Sequence, residues 1–86
     1  MRMAQITVNY RGALTQAIGL SSEQLEVATV SEVLRHIKST QGKIVYKQAK
    51  AMVIVVNGVS ILQKRVYATA LFDGDVVSFL PLAAGG

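Results

Sequence analysis

Apolar and polar positions alternate near the start of the chain. Ile6, Val8 and Tyr10 are separated by Thr7 and Asn9, a period of two that predicts a half-buried first strand. Arg11-Gly12 interrupts the pattern. Over 13–18 the spacing lengthens, with Leu14 and Ile18 on one side of a short helix and Gly19 placed to stop it as a left-handed cap. Ser21-Ser22 begin a turn, and 24–28 read as a second strand with Leu25 and Val27 on the same side.

The main helix carries the strongest local signals. Thr29 is a good N-cap residue and Glu32 stands three positions later, the spacing of a capping box that satisfies two otherwise orphaned N–H groups. Val30, Val33, Leu34 and Ile37 follow at i, i+3, i+4 and i+7, one apolar stripe, with Glu32 and Arg35 facing away as a weak ion pair. Gly42 ends it. The stretch 44–51 reads either as a basic connector or as a further helical turn. Residues 52–56 are apolar and β-branched, as expected of a central strand, and Asn57-Gly58 closes it in a turn. Ile61-Leu62 fit a short edge strand. Asp73-Gly74-Asp75 is a turn signal, 76–80 form the last strand, and Pro81 stops it for want of an N–H.

A chain of this size covers one sheet face with one full helix. A right-handed crossover through that helix places the first and last strands side by side near the centre. The expected class is α+β, a ubiquitin-like β-grasp with a mixed sheet of about four to five strands packed on one main helix. Residues 1–80 would form that domain and 81–86 a flexible C-terminal Gly-Gly tail.

Composition narrows the picture further. The 86 residues are 51% apolar with a mean hydropathy of +0.40, which argues for one folded domain and against disorder. Without cysteine there is no disulfide, thiolate metal site or cysteine nucleophile, in keeping with a cytoplasmic location. Apolar runs such as 52–56 are far shorter than the ~20 residues of a membrane span, and the N-terminus lacks the apolar region of a signal peptide. The net charge of +4 includes Lys43, Lys47, Lys50, Lys64 and Arg65. These form either a solvated face or a patch for phosphate or for an acidic protein surface. No aromatic residue interleaves with them in a stacking pattern, so no nucleic-acid platform is expected.

The chain ends at Gly85-Gly86. Two residues without side chains can enter a cleft that any Cβ would block, and the last of them presents an α-carboxylate. Val55-Val56-Asn57-Gly58, then Leu71-Phe72-Asp73-Gly74-Asp75-Val76-Val77, then Phe79-Leu80-Pro81 and the terminal Gly85-Gly86 together resemble the MoaD/ThiS family of ubiquitin-like sulfur carriers. The segment 13–19 and the overall length are more similar to MoaD, the small subunit of molybdopterin synthase. The chain departs from the family pattern at Leu82, where a second proline is common, at Val76, where an acidic residue is usual, in its basic charge, and in lacking an Arg-Glu pair in the first helix.

The resemblance implies a chemistry. An α-carboxylate has a pKa of about 3.5, so at neutral pH it is ionised and a poor electrophile. An ATP-dependent adenylating enzyme of the ubiquitin-activating type would activate Gly86, and a persulfide-bearing partner would convert it to a thiocarboxylate. A molybdopterin-synthase-like large subunit, or another sulfur-accepting enzyme, would then take the sulfur. Gly85, Ala84, Ala83 and Leu82 would thread into these partners, Pro81 would mark where the domain ends, and Leu80 and Val76 would belong to the partner-binding face. Val76 and Leu80 are expected on one sheet face, opposite Val77 and Phe79, with Met52, Ile54 and Val56 adding a second apolar face. The protein itself would bind no cofactor, ATP being used by its partner, and would bind no membrane or nucleic acid. Its acids lack metal-ligand or paired-carboxylate spacing and His36, its one histidine, reads as a partly exposed helix residue, so it is expected to be a substrate of enzymes rather than an enzyme. Two other roles use the same elements: a protein modifier conjugated through Gly86, or a sulfur donor for thiamine or tRNA thiolation. A non-covalent binding module would not need the tail at all.

Overall fold

The alternation at the start of the chain becomes the backbone of a sheet. A computed structural model describes residues 3–60 and 68–81. Within them lie β1 (Ala4–Tyr10), α1 (Ala13–Ile18), β2 (Ser22–Val27), α2 (Val30–Gln41), α3 (Lys43–Lys50), β3 (Val53–Val56), β4 (Val59–Ser60) and β5 (Val76–Leu80). The strands form one mixed sheet in the order β2-β1-β5-β3-β4. β1 and β5 are parallel, with Thr7 opposite Val76 and Tyr10 opposite Phe79, while the other pairs are antiparallel. First and last strands thus sit side by side, as the crossover argument requires.

One sheet face is dry. Ala4, Ile6, Val8 and Tyr10 of β1, Ile54 and Val56 of β3, and Val77 and Phe79 of β5 are buried against Val30, Val33, Leu34 and Ile37 of α2. Among the described residues no polar or charged residue is buried, so the interior of this layer is packed by apolar contact. The stretch 44–51 is a helix: Ala49 is fully buried and Val45 and Tyr46 pack against the core. The helical layer is therefore broader than a single helix, with α3 packed on α2. Among the described residues no helix lies on the second sheet face.

The caps follow the sequence with one shift. Thr29 Oγ1 accepts from the Glu32 N–H at 3.4 Å. The Glu32 carboxylate reaches one residue further back than a capping box requires, accepting from the Ala28 N–H at 2.6 Å instead of pairing with Arg35. Thr29 itself is held in a β-bridge to Ala70, which draws the chain before α2 into the sheet layer. β2 begins at Ser22, so only Ser21 is left to the turn. The edge strand is Val59–Ser60, while Ile61-Leu62 lie outside the described residues.

Candidate functional site at the end of β5

β5 leads to Pro81, and the site is built by what positions that strand. At its start, Asn57 and Gly58 both have positive φ, 52° and 85°, the two left-handed residues of a tight hairpin turn. From that conformation the Asn57 side chain accepts from the Val76 N–H at 2.8 Å and donates to Asp75 Oδ1 at 2.9 Å. Asp75 Oδ2 also accepts from the Phe72 N–H at 2.8 Å, and Asp73 Oδ1 from the Gln5 N–H at 2.9 Å. The two turn motifs of the sequence therefore form one hydrogen-bonded unit that sets the register of β5 between β1 and β3.

At the other end the strand stops at Leu80, opposite Val53, and Pro81 lies against Gly12. Gly12 has φ 62° and ψ −140°, a conformation open in practice to glycine alone. A Cβ there would meet Pro81 Cγ at 3.6 Å, an ordinary contact, so backbone conformation and not space requires the glycine. Just inside this junction the Tyr10 and Phe79 rings stack with centroids 6.0 Å apart. The Tyr10 hydroxyl donates to Glu23 Oε2, and His36 Nε2 lies 3.4 Å from the same oxygen. His36 is about one-third exposed and serves this structural contact, in keeping with its place on the helix flank. Thr15 Oγ1 donates to the Tyr10 carbonyl at 2.7 Å, tying α1 to the end of β1.

The two faces of β5 divide as expected: Val77 and Phe79 are fully buried, and Val76, Ser78 and Leu80 point to the open side. The expectation for β3 needs correction. Ile54 and Val56 belong to the core, Met52 packs against it from just outside the strand, and Val53 and Val55 line the open face. The reason is register. Val56 pairs with Val77 and Ile54 with Phe79, and paired residues share a face. A five-residue apolar run has no parity of its own, so sequence alone could not assign it. The open face therefore carries Val53, Val55, Val76 and Leu80, all half-buried, with Thr7 and Ser78 among them. Sequence reasoning also missed Gly12 as the partner of Pro81, a contact between distant residues with no local signal.

Leu82, Ala83, Ala84, Gly85 and Gly86 lie outside the described residues. Among the described ones no group of three His, Cys, Asp or Glu could hold a metal ion, and no helix is long and apolar enough to cross a membrane. A cleft of about 550 Å³, lined by Met3, Ala28, Leu71 and Phe72 among others, opens beside Ala4 at the start of β1. Pro81 sits at the opposite end of that strand, so the cleft is no part of this site.

Comparison with known proteins places this architecture. Residues 8–86 match the model of the ThiS family. No curated protein matches the chain by sequence. Among solved structures, the small archaeal modifier protein SAMP1 of Methanosarcina acetivorans is 24% identical and superimposes with a TM-score of 0.83, covering 100% of both chains. A chain of the Amycolatopsis orientalis BexX/CysO complex is 25% identical, with a TM-score of 0.78 over 94% of this chain and 99% of that one. A putative molybdopterin converting factor subunit 1 from Pyrococcus furiosus is 26% identical, with a TM-score of 0.66 over 91% and 97%. With a β-grasp whose last strand runs centrally toward the C-terminal residues and a family match that extends to Gly86, the chain belongs to the ThiS family of ubiquitin-like sulfur carriers.

Proposed function

We propose that Gly86 is the reacting residue and that the protein carries sulfur as a C-terminal thiocarboxylate in molybdopterin biosynthesis. The observation that carries this reading is the family match running through Gly86, joined to a central β5 whose end is fixed by Pro81 against Gly12. The molybdopterin branch draws on the α1 helix after β1 and on the likeness to the Pyrococcus furiosus converting factor subunit. In this reading the protein is a non-catalytic carrier of the cytoplasm.

Chemistry proceeds on partners. A Gly86 carboxylate oxygen attacks the α-phosphorus of ATP on an adenylating enzyme, releasing pyrophosphate and leaving an acyl-adenylate. The terminal sulfur of a partner's persulfide attacks the acyl carbon and expels AMP. Reduction of the resulting acyl disulfide by a thiol releases the thiocarboxylate. Ala83, Ala84 and Gly85 keep the path to the acyl carbon narrow, and Leu82 and Pro81 join it to the domain. The open face around Val76 and Leu80 is the docking surface, first for the adenylating enzyme and then for a large subunit of the molybdopterin-synthase type.

The test is mass spectrometry after incubation with an adenylating enzyme, ATP and a sulfur donor. The expected product has one oxygen of the Gly86 carboxylate replaced by sulfur, and deletion of Gly86 abolishes it. An unchanged mass, under conditions that thiolate a control carrier, would overturn the reading. Lysine conjugates that depend on Gly86, formed without free thiocarboxylate, would assign the tail to protein modification.

A further inference from the structure

Strand register assigns the open sheet face position by position. Paired residues share a face, so Thr7, which faces Val76, brings Gln24 of β2 to this side, and Gln5 brings Glu26. The β2–β1 half of the face is therefore polar, while the β5–β3 half is mostly apolar. Among the described strand residues of this face, Glu26 is the only charged one. Glu23, the other acid of β2, pairs with the buried Val8 and belongs to the opposite side.

We infer that Glu26 pairs with a basic side chain of the partner that docks on the open face, and that this pair sets the partner's orientation. The inference rests on the docking role proposed above and names the chemistry of the partner: an apolar centre with a basic rim on its β2 side.

Apolar burial is not directional. Val53, Val55, Val76 and Leu80 alone would hold a flat apolar surface equally well in several in-plane rotations. The proposed chemistry tolerates one, because Gly86 is joined to the domain through Pro81 and must reach a single active site. A charge far from the centre of the patch removes that freedom. Glu26 is so placed. β2 lies two strands from β5, about 10 Å at the usual strand spacing. Along the strands Glu26 stands opposite Gln5, two residues before the Thr7–Val76 pair, whereas Leu80 is four residues beyond it. Those six residues add about 20 Å, so Glu26 and Leu80 occupy opposite corners of the face. An interface of standard size covers about 800 Å² per partner, a patch about 30 Å across, which holds both corners.

Glu26 is also available. It is exposed, and among the described residues it makes no hydrogen bond or ion pair. The other acids are occupied: Glu23 by Tyr10 and His36, Glu32 by the Ala28 N–H, and Asp73 and Asp75 by the turn before β5. The net charge of +4 gives the opposite impression, that of a protein suited to acidic partners. Its exposed cations include Lys38 of α2 and Lys43 and Lys47 of α3, which belong to the helical layer and not to this face. At the docking surface the sign is reversed.

The experiment is stopped-flow association of the full chain with the adenylating enzyme used for the thiolation test, at low salt and at about 1 M, where screening shortens the reach of a charge to about 3 Å. A rim charge acts chiefly on encounter. At low salt Glu26→Gln should slow association about threefold and Glu26→Lys about tenfold, with dissociation changed less than about twofold. At high salt the differences should vanish. Gln48→Lys, at an exposed position of α3, changes the net charge by the same single unit as Glu26→Gln and should slow association far less. Equal slowing by Gln48→Lys, or unchanged or faster association of the Glu26 variants, would overturn the inference. Unchanged association joined to self-association of Glu26→Gln would do so as well, and would assign the charge to guarding the β2 edge. Gly86 thiolation is followed in the same mixtures. Normal thiolation with unchanged association removes Glu26 alone, whereas absence of both thiolation and binding removes the docking role and this inference with it.

Discussion

Tyr10 shows how one side chain can join three elements. Its ring is buried in β1 and stacked on Phe79 of β5, while its hydroxyl reaches Glu23 of β2. Burial first, then the hydrogen bond and charge of Glu23, raise the phenol pKa well above its ordinary value of about 10. In the unfolded chain the group ionises at that ordinary value. The stability tied to its protonated form is therefore complete below about pH 10 and declines as the pH rises above it. Tyr10→Phe should lower stability by about 1–2 kcal/mol at neutral pH through the lost bond to a carboxylate. The same variant should flatten the alkaline decline relative to the unmodified protein. Urea unfolding on both sides of that range measures the two effects. A variant that kept the full alkaline slope would show that other groups cause it.

At the scale of elements, β1, α1 and β5 converge on Gly12. Its φ of 62° lets the chain leave β1, pass Pro81 and enter α1 within two residues. Gly12→Ala forces an L-residue into that conformation and should cost about 1–3 kcal/mol, read from thermal unfolding. Gly19→Ala also removes a positive-φ glycine, but from an αL cap with nothing within 4 Å, so its cost should be at the lower end of that range. Most elements were legible because each carries its own period and stop signal: β1, α1, α2 and the two turns. α3 was ambiguous because its apolar residues are few and its single fully buried residue is Ala49, too small to mark a face. The open face was half legible. Val76 and Leu80 followed from the parity of β5, whereas Val53 and Val55 needed the pairing of β3 with β5.

At the scale of the whole molecule, the sheet exposes a mixed apolar face on one side and the helices present cations on the other. The open face has Val55 near its middle, half-buried and outside the core cluster. Val55→Arg should therefore change stability by less than about 0.5 kcal/mol, as surface substitutions do. Under the proposed function it should also weaken the complex with an adenylating enzyme at least about tenfold, since interface cores exclude unmatched charge. Calorimetric titration against that enzyme is the measurement, with a thermal melt alongside. Unchanged affinity in a folded variant would remove this face from the docking surface.

The parallel pairing of β1 with β5 has a consequence for how the protein is made. β5 occupies the slot between β1 and β3, so a chain broken off before Val76 would present two raw sheet edges and an uncovered stripe on α2. Such a fragment has no smaller stable fold to fall back on, because the missing strand contributes Val77 and Phe79 to the centre of the core. Synthesis must therefore pass β5 before the native sheet can exist. An aborted product is left to chaperones and proteases, and it never competes as a decoy for the partners of the finished protein.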